Sequence, residues 1–385
     1  MSGEGALSVF ARARDLEHKG RSIIHLELGE PDFHPAQPTL EALKRALDEG
    51  KDRYCAVAGV PALREAIAVY LRETRGLDVS PENIVIAPGC KIALFMALMA
   101  LVDPGDEVLY PDPGFPGFSS IACGLDGVAV PFELSPRNQL QPDIAQITAR
   151  ITPRTKVLIT NSPSNPTGTV YHDNIQRQLA ELAVQHDLLV ISDEIYARLI
   201  YGGRYISMMS YPGMAERTLI IDGFSKSFAM TGWRLGYAVA PARIVPALEM
   251  IAVNSYTCVA EFTQYAAIEA LKDREGATPR MVREFAGRRE QFVRDLNQVP
   301  GFRCQPPEGA FYAWVNISDT GMSAEELCGI MLEEAGVAAI PGAAFGSAGT
   351  DFIRFSFASS TATLREAVER IMRVSPAWQK SAVTR

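Results

Sequence analysis

Histidine is scarce in this chain of 385 residues: there are five, and none pairs with another at metal-ligand spacing. The six cysteines (Cys55, Cys90, Cys123, Cys258, Cys304 and Cys328) are widely scattered with no C-x-x-C. That leaves no basis for a structural zinc or a disulfide framework, and predicts reduced thiols in a cytoplasmic protein. Long hydrophobic runs are also missing. The longest, 92–102, stops at Asp103-Pro104-Gly105, well short of the ~20 residues a membrane-spanning helix needs, and the N-terminus lacks the apolar core of an export signal. No run of basic residues occurs, and Lys+Arg 37 against Asp+Glu 45 gives a net charge of −8, so neither nucleic acid nor an anionic membrane has an electrostatic footprint. No strand is followed by G-x-G-x-x-G and no G-x-x-x-x-G-K-[ST] occurs, which removes the dinucleotide and P-loop nucleotide readings.

What remains is an ordinary globular composition, 47% hydrophobic and 21% charged, long enough for about two or three lobes. From Asn83 onward, β-branched runs alternate with amphipathic stretches. Ile84-Val85-Ile86 precedes a helical pattern over 91–102, and Glu107-Val108-Leu109-Tyr110 precedes one over 115–123. The alternation continues through Lys156-Val157-Leu158-Ile159, a helix near 174–186, Leu188-Leu189-Val190-Ile191, Thr218-Leu219-Ile220-Ile221 and Leu235-Gly236-Tyr237-Ala238-Val239. Strands this apolar suit a mostly parallel sheet covered on both faces, an α/β fold whose ligands gather beyond the strand C-ends. A long helical pattern follows to about residue 271, and the composition turns charged after Lys272. A second, α+β lobe is expected there, with an extended segment over 301–317, a helix over 324–336, strands over 337–340 and 352–357, and a terminal helix over 363–374. The domains read as an N-terminal segment 1–50 packing with the small domain, a large domain 51–271 and a small domain 272–385.

Two positions stand out chemically. Lys226, in Gly223-Phe224-Ser225-Lys226-Ser227-Phe228, follows an apolar strand directly, where desolvation would lower its pKa from ~10.4 and make the amine nucleophilic enough for a Schiff base. Arg234, eight residues on in Thr231-Gly232-Trp233-Arg234-Leu235-Gly236, could fork around a phosphate. Either alone is more often a solvated surface charge.

Read together with other segments they carry more. Ser225-Lys226 with Arg234, Asn165-Pro166-Thr167-Gly168 and Asp193-Glu194-Ile195-Tyr196 resemble, in order and spacing, the fold-type I pyridoxal-phosphate enzymes, and specifically class I and II aminotransferases. Leu28-Gly29-Glu30-Pro31-Asp32-Phe33, Pro306-Pro307-Glu308-Gly309-Ala310-Phe311-Tyr312 and Phe352-Ile353-Arg354-Phe355-Ser356 extend the resemblance over roughly residues 20 to 373. It implies a large domain with a mostly parallel seven-stranded sheet covered by helices, a smaller α+β domain, and pyridoxal 5′-phosphate as cofactor. By the same resemblance Lys226 forms the aldimine and shuttles the proton. Asp193 keeps the pyridine nitrogen protonated, so that the ring acts as an electron sink. Asn165 and Tyr196 hydrogen-bond the phenolic oxygen, and Phe115 stacks on the ring. Gly89, Cys90 and Lys91, opening an apolar helix, suit a phosphate dianion, as do Ser225 and Arg234. Tyr54 matches a tyrosine that reaches the phosphate of a neighbouring subunit, which implies a homodimer with shared active sites. Arg354 clamps the substrate α-carboxylate, with Asn165 beside it and Gly29 leaving room.

Two departures from the family pattern matter. The position two before Ser225, usually Ser or Thr, is Gly223, which removes a hydrogen bond to a charged group worth ~1.5–3 kcal/mol and predicts an altered phosphate cup. The segment 254–261 offers no arginine for a distal carboxylate, and its Tyr256 and Glu261 stand as alternative substrate contacts. The resemblance implies ping-pong transfer of an amino group between an L-amino acid and a 2-oxo acid. It leaves open another reaction at the same aldimine, such as elimination, replacement, cyclisation or oxidation.

Overall fold

In the computed structural model, residues 5–273, 276–376 and 378 are described. After the helix Gly5–His18, the two-residue strand Ile24–His25 (β1) leads to the helices Gln37–Asp48 and Pro61–Arg75. Seven strands then form the main sheet: Ile84–Ala87 (β2), Glu107–Asp112 (β3), Val128–Glu133 (β4), Thr155–Asn161 (β5), Leu189–Asp193 (β6), Thr218–Gly223 (β7) and Gly236–Val239 (β8). Their order is β2-β8-β7-β6-β5-β3-β4, parallel throughout except for β8, which runs against both β2 and β7. This is the mostly parallel α/β sheet expected from the apolar runs.

Both faces are covered. Val85, Ala87, Val108, Val157, Ile191, Leu219 and Ala238 point into one buried cluster with the helices Cys90–Leu101 and Val245–Ser255. Their neighbours Ile84, Ile86, Leu109, Leu158, Val190, Ile220 and Val239 point into clusters on the opposite face. Period-2 alternation with every position apolar is what a doubly covered sheet requires. β4 is an edge strand, largely unburied, and carries Pro131.

A second, four-stranded sheet, antiparallel in order β12-β13-β10-β9, is built from Arg303–Cys304 (β9), Tyr312–Asn316 (β10), Ile340–Pro341 (β12) and Phe352–Ser356 (β13). The short strand Val337–Ala338 (β11) pairs parallel with β1. Helices Ala277–Leu296, Ala324–Ile330 and Thr361–Val374 accompany this sheet, the second ending in a wider turn over Met331–Ala335. Its core of Phe285, Phe292, Phe311, Phe355 and Ile371 also takes in Ile24 and Leu26. The helix Gln37–Asp48 instead packs on Glu261–Lys272.

One expectation is corrected. The helical pattern read through to residue 271 is two helices, Val245–Ser255 and Glu261–Lys272, separated where Thr257 takes a left-handed conformation at φ 66°.

Candidate active site

The direction of the strands gathers the chemistry at one edge. β3, β5, β6 and β7 run the same way, and beyond their C-ends lie Phe115, Asn165, Tyr196 and the Ser225-Lys226 turn, while Asp193 is itself the last residue of β6. β2 runs with them and leads into Gly89 and the helix Cys90–Leu101. β8, the reversed strand, begins at this edge, so Arg234, two residues before it, arrives at the same place. A cavity of about 300 Å³ opens there. Gly29, Cys90, Lys91, Phe115, Asn165, Asp193, Tyr196, Ser225, Lys226, Arg234 and Arg354 all line it, drawn from segments more than 300 residues apart.

Lys226 Nζ donates to the Gly29 carbonyl at 2.5 Å. Loss of hydration lowers its pKa to about 8, against an ordinary 10.5, so a sizeable fraction of the amine is neutral near pH 7.5. Asp193 moves the other way. Burial pushes its carboxyl up to about 7, the anions Asp222 and Glu194 adding to the rise, while the Ile195 amide, 3.2 Å from Oδ1, opposes it. Asn161 Nδ2 donates to the Asp193 carbonyl at 3.2 Å and its Oδ1 accepts the Asn165 amide at 2.9 Å, which ties the ends of β5 and β6 to the loop carrying Asn165.

Across the cavity, Arg354 in β13 is buried. Its Nη1 donates to Asn165 Oδ1 at 2.8 Å and its Nη2 to the Glu27 carbonyl at 2.5 Å. The rings of Tyr312 and Phe345 lie 4.3 and 4.7 Å from its guanidinium carbon, a planar slot that fixes the fork. Tyr196 and Tyr312 share a hydroxyl–hydroxyl hydrogen bond of 2.8 Å. Gly29 faces the Tyr312 hydroxyl so closely that a Cβ there would stand 2.0 Å from it.

At the opposite end Gly89, at φ 87°, caps the N-terminus of the twelve-residue helix Cys90–Leu101. A Cβ on Gly89 would lie 2.6 Å from Arg234 Nη2, so the glycine lets the guanidinium approach the free backbone N–H groups of the helix start. Gly223 has a packing reason. A Cβ there would stand 2.8 Å from Cys90 Sγ, 2.7 Å from the Gly236 Cα and 2.9 Å from the Leu235 carbonyl oxygen. The space a hydroxyl-bearing residue would use is filled by the neighbouring strand and the Cys90 thiol, whose pKa burial raises well above its ordinary value.

The family model for aminotransferases of class I and II matches residues 21–371. The chain belongs to this family. The aspartate/prephenate aminotransferase of Thermus thermophilus is 39% identical over 382 residues, 97% of this chain and 96% of that one. Among solved structures, the aspartate aminotransferase from Thermus thermophilus with maleate superposes with a TM-score of 0.93 at 38% identity, covering 97% of each chain. The aromatic aminotransferase from Pyrococcus horikoshii superposes with a TM-score of 0.91 at 38% identity, covering 95% of this chain and 99% of that one. The fold is therefore that of the fold-type I aminotransferases, and the enzyme is a transferase of amino groups.

In this aminotransferase Tyr54 stands apart from the cavity, 87% exposed on the loop before Pro61. Tyr256 is likewise absent from the cavity lining and donates to the Ile86 carbonyl at 2.8 Å, and Glu261 begins a helix outside the lining. The structure adds Glu27, Thr231, Tyr312 and Phe345 to the lining, residues given no role from the sequence. Tyr312 had a signal, since it ends the Pro306–Tyr312 motif; Glu27 and Phe345 had none. Among the described residues no cluster of His, Cys, Asp and Glu suits a metal ion, and no helix is long and apolar enough to cross a membrane.

Proposed function

We propose that the cavity holds pyridoxal 5′-phosphate covalently on Lys226 and that the enzyme moves an amino group between an L-amino acid and a 2-oxo acid in a ping-pong cycle. The observation that carries this reading is the convergence of an amine with a lowered pKa, a partly buried carboxyl with a raised one and a slotted arginine on one cavity of about 300 Å³. The residues fit the group. Gly89 leaves the helix N-terminus and Arg234 open to a phosphate, and Phe115 offers a ring face. Asp193 offers an acceptor for a ring N–H, and Asn165 and Tyr196 line the same cavity as Asp193 and Arg354. When bound, the cofactor supplies a cationic ring that withdraws the electrons released at the substrate α-carbon.

The protein's own part follows from its geometry. Lys226 Nζ acts as nucleophile and carries a proton to and from the α-carbon; its lowered pKa is suited to both tasks near neutral pH. Asp193, at about 7 when alone, is held ionised once a cation sits against it, so carboxylate and ring nitrogen charge each other. Arg354 takes the substrate α-carboxylate two-pronged, releasing Asn165, and the Tyr312 and Phe345 rings keep the fork in plane. The hydroxyl of Tyr196, oriented by Tyr312, holds a phenolic oxygen. Ser225, Cys90 and Lys91 stand with Gly89 and Arg234 on the phosphate side.

The exposure of Tyr54 supports a homodimer in which Tyr54 of a second subunit completes the phosphate cup, each site being shared. The large lobe 51–271 would then carry the cofactor and the lobe 272–385 the substrate carboxylate through Arg354. Six free thiols support a reducing, cytoplasmic setting. The names of the related enzymes favour transamination over other reactions of the same cofactor. The test is transfer of 15N from labelled aspartate, phenylalanine or other amino donors to 2-oxoglutarate or pyruvate: label in the product amino acid supports the reading. Consumption of the donor with ammonia or an unsaturated product, and no labelled acceptor, would overturn it.

A further inference from the structure

Beneath the cavity floor lies a charged cluster that the proposed chemistry does not use. Arg75, the last residue of the helix Pro61–Arg75, Glu194, which follows Asp193, and Asp222, which precedes Gly223, have side chains only 2, 0 and 4% exposed. Arg75 Nη1 donates to Glu194 Oε2 at 2.6 Å and Nη2 donates to Asp222 Oδ2. The remaining oxygens are also occupied. Glu194 Oε1 accepts from Ser207 Oγ at 2.6 Å and Ser192 Oγ at 3.0 Å. Asp222 Oδ2 accepts from the Tyr237 hydroxyl at 2.9 Å and Oδ1 from the Gly223 amide at 2.6 Å. None of the three lines the cavity.

Two carboxylates thus share one guanidinium, leaving the cluster one negative charge in excess, and both flank Asp193. Burying two anions beside a third is costly unless each is paired. A packing role alone needs no second carboxylate; an electrostatic role explains it. We propose that Arg75 is a positioning residue of the transfer site: it ties the C-ends of β6 and β7 together and sets the negative charge that Asp193 feels, and thereby how tightly the site holds the cationic ring of the cofactor.

Both halves of this proposal follow from the connectivity. The fork of Arg75 spans the segment after Asp193 and the segment before the Lys226 turn, so the segments carrying Asp193 and Lys226, which would hold the cofactor, are fixed to one rigid group. Asp222 and Glu194 both raise the Asp193 pKa, while Lys226 lowers it. Cys90, Tyr196 and Tyr312 are the other titratable groups facing Asp193, and burial keeps each of them protonated.

The inference rests on the cofactor reading above, and the experiment separates the two. Full-length protein stripped of cofactor is titrated with pyridoxal 5′-phosphate between pH 6 and 9, followed by visible absorbance and by quenching of intrinsic fluorescence. Wild type that binds no pyridoxal 5′-phosphate would sink the cofactor reading itself. Given wild-type binding, Arg75→Met is expected to weaken it at pH 6, below the Asp193 midpoint, by about tenfold, the equivalent of one pKa unit at Asp193. Arg75→Met/Asp222→Asn, which returns the cluster to the wild-type excess of one negative charge, is expected to recover to within about threefold of wild type. Asp222→Asn alone, which keeps Arg75 paired with Glu194, is expected to shift the pH profile of binding to lower pH. A folded Arg75→Met protein with wild-type affinity overturns the inference. So does a double variant as weak as the single one, which would indicate packing alone, or an unchanged pH profile in Asp222→Asn should Arg75→Met fail to fold.

Discussion

At the scale of single residues, the site sets unfavourable burial of its groups against catalytic fitness. Asp193 binds a proton in the native state between its ordinary pKa near 3.8 and about 7, whereas the unfolded chain does not. Stability of the cofactor-free protein therefore falls as pH rises through that window, and the loss persists above it. Asp193→Asn should consequently raise the Tm of the cofactor-free protein at pH 8 by a few degrees, with the gain shrinking as pH is lowered towards 4.5. Differential scanning calorimetry at the two pH values checks this, and an equal shift at both would contradict it. Gly223 makes a second residue-scale prediction. Two of the three atoms nearest a Cβ there belong to backbone, which cannot step aside. Gly223→Ser should cost about 1–3 kcal/mol in denaturant unfolding, as overpacking does, and Cys90→Gly should not fully rescue it, because the Gly236 and Leu235 backbone remains. A neutral Gly223→Ser would show that the loop relaxes. The glycine therefore reflects crowding at the sheet edge as well as a missing hydroxyl.

At the scale of elements, close packing of small residues joins the N-terminal segment to the body. The helix Gln37–Asp48 buries Thr39, Ala42 and Ala46 and packs on Glu261–Lys272, whose Ala266, Ala267 and Ala270 are also buried. Ala46→Leu is expected to destabilise by about 1–3 kcal/mol, read as a lowered urea midpoint with an unchanged slope. Element by element, legibility followed burial. β2, β3, β5, β6, β7 and β8 were readable because doubly covered strands are apolar throughout and end in Gly, Pro, Asp or Asn where the loops begin. β4 was not, since an edge strand with Pro131 and partly exposed positions lacks that signature. The helix Ala277–Leu296 buries seven residues beneath a charged exterior and was read only as a change in composition. The break between Ser255 and Glu261 was hidden because Val245–Ser255 and Glu261–Lys272 are both helical patterns, and only the left-handed Thr257 separates them. The site was legible through motifs next to the strand ends. Its walls were not: Tyr312, Phe345 and Glu27 come from the other lobe and from the segment just after β1, and reach the cavity only through the packing of the two sheets.

For the whole molecule, two sheets contribute separate parts of one cavity, and the parallel direction of the strands explains why Phe115, Asn165, Asp193, Tyr196 and Lys226 gather at a single edge. Tyr54 belongs at this scale, because at 87% exposure it stands outside the cavity of its own chain. Met250 and Val253 on the helix Val245–Ser255 and Met99 on Cys90–Leu101 are exposed apolar side chains on neighbouring helices, the kind of surface a second subunit covers. Sedimentation velocity is expected to give a species near twice 42.0 kDa. Mixed dimers of Lys226→Ala and Tyr54→Ala subunits are expected to regain activity in one of their two sites. Verified heterodimers without recovery would argue against a shared site.

The claim on which the rest depends is that one amine, Lys226 Nζ, carries the cofactor. Borohydride reduction of the purified protein followed by peptide mass spectrometry tests it directly. The account predicts a pyridoxyl-phosphate mass on the peptide containing Lys226 and its loss in Lys226→Ala. An adduct on another lysine, or none in protein shown to bind pyridoxal 5′-phosphate, would contradict it.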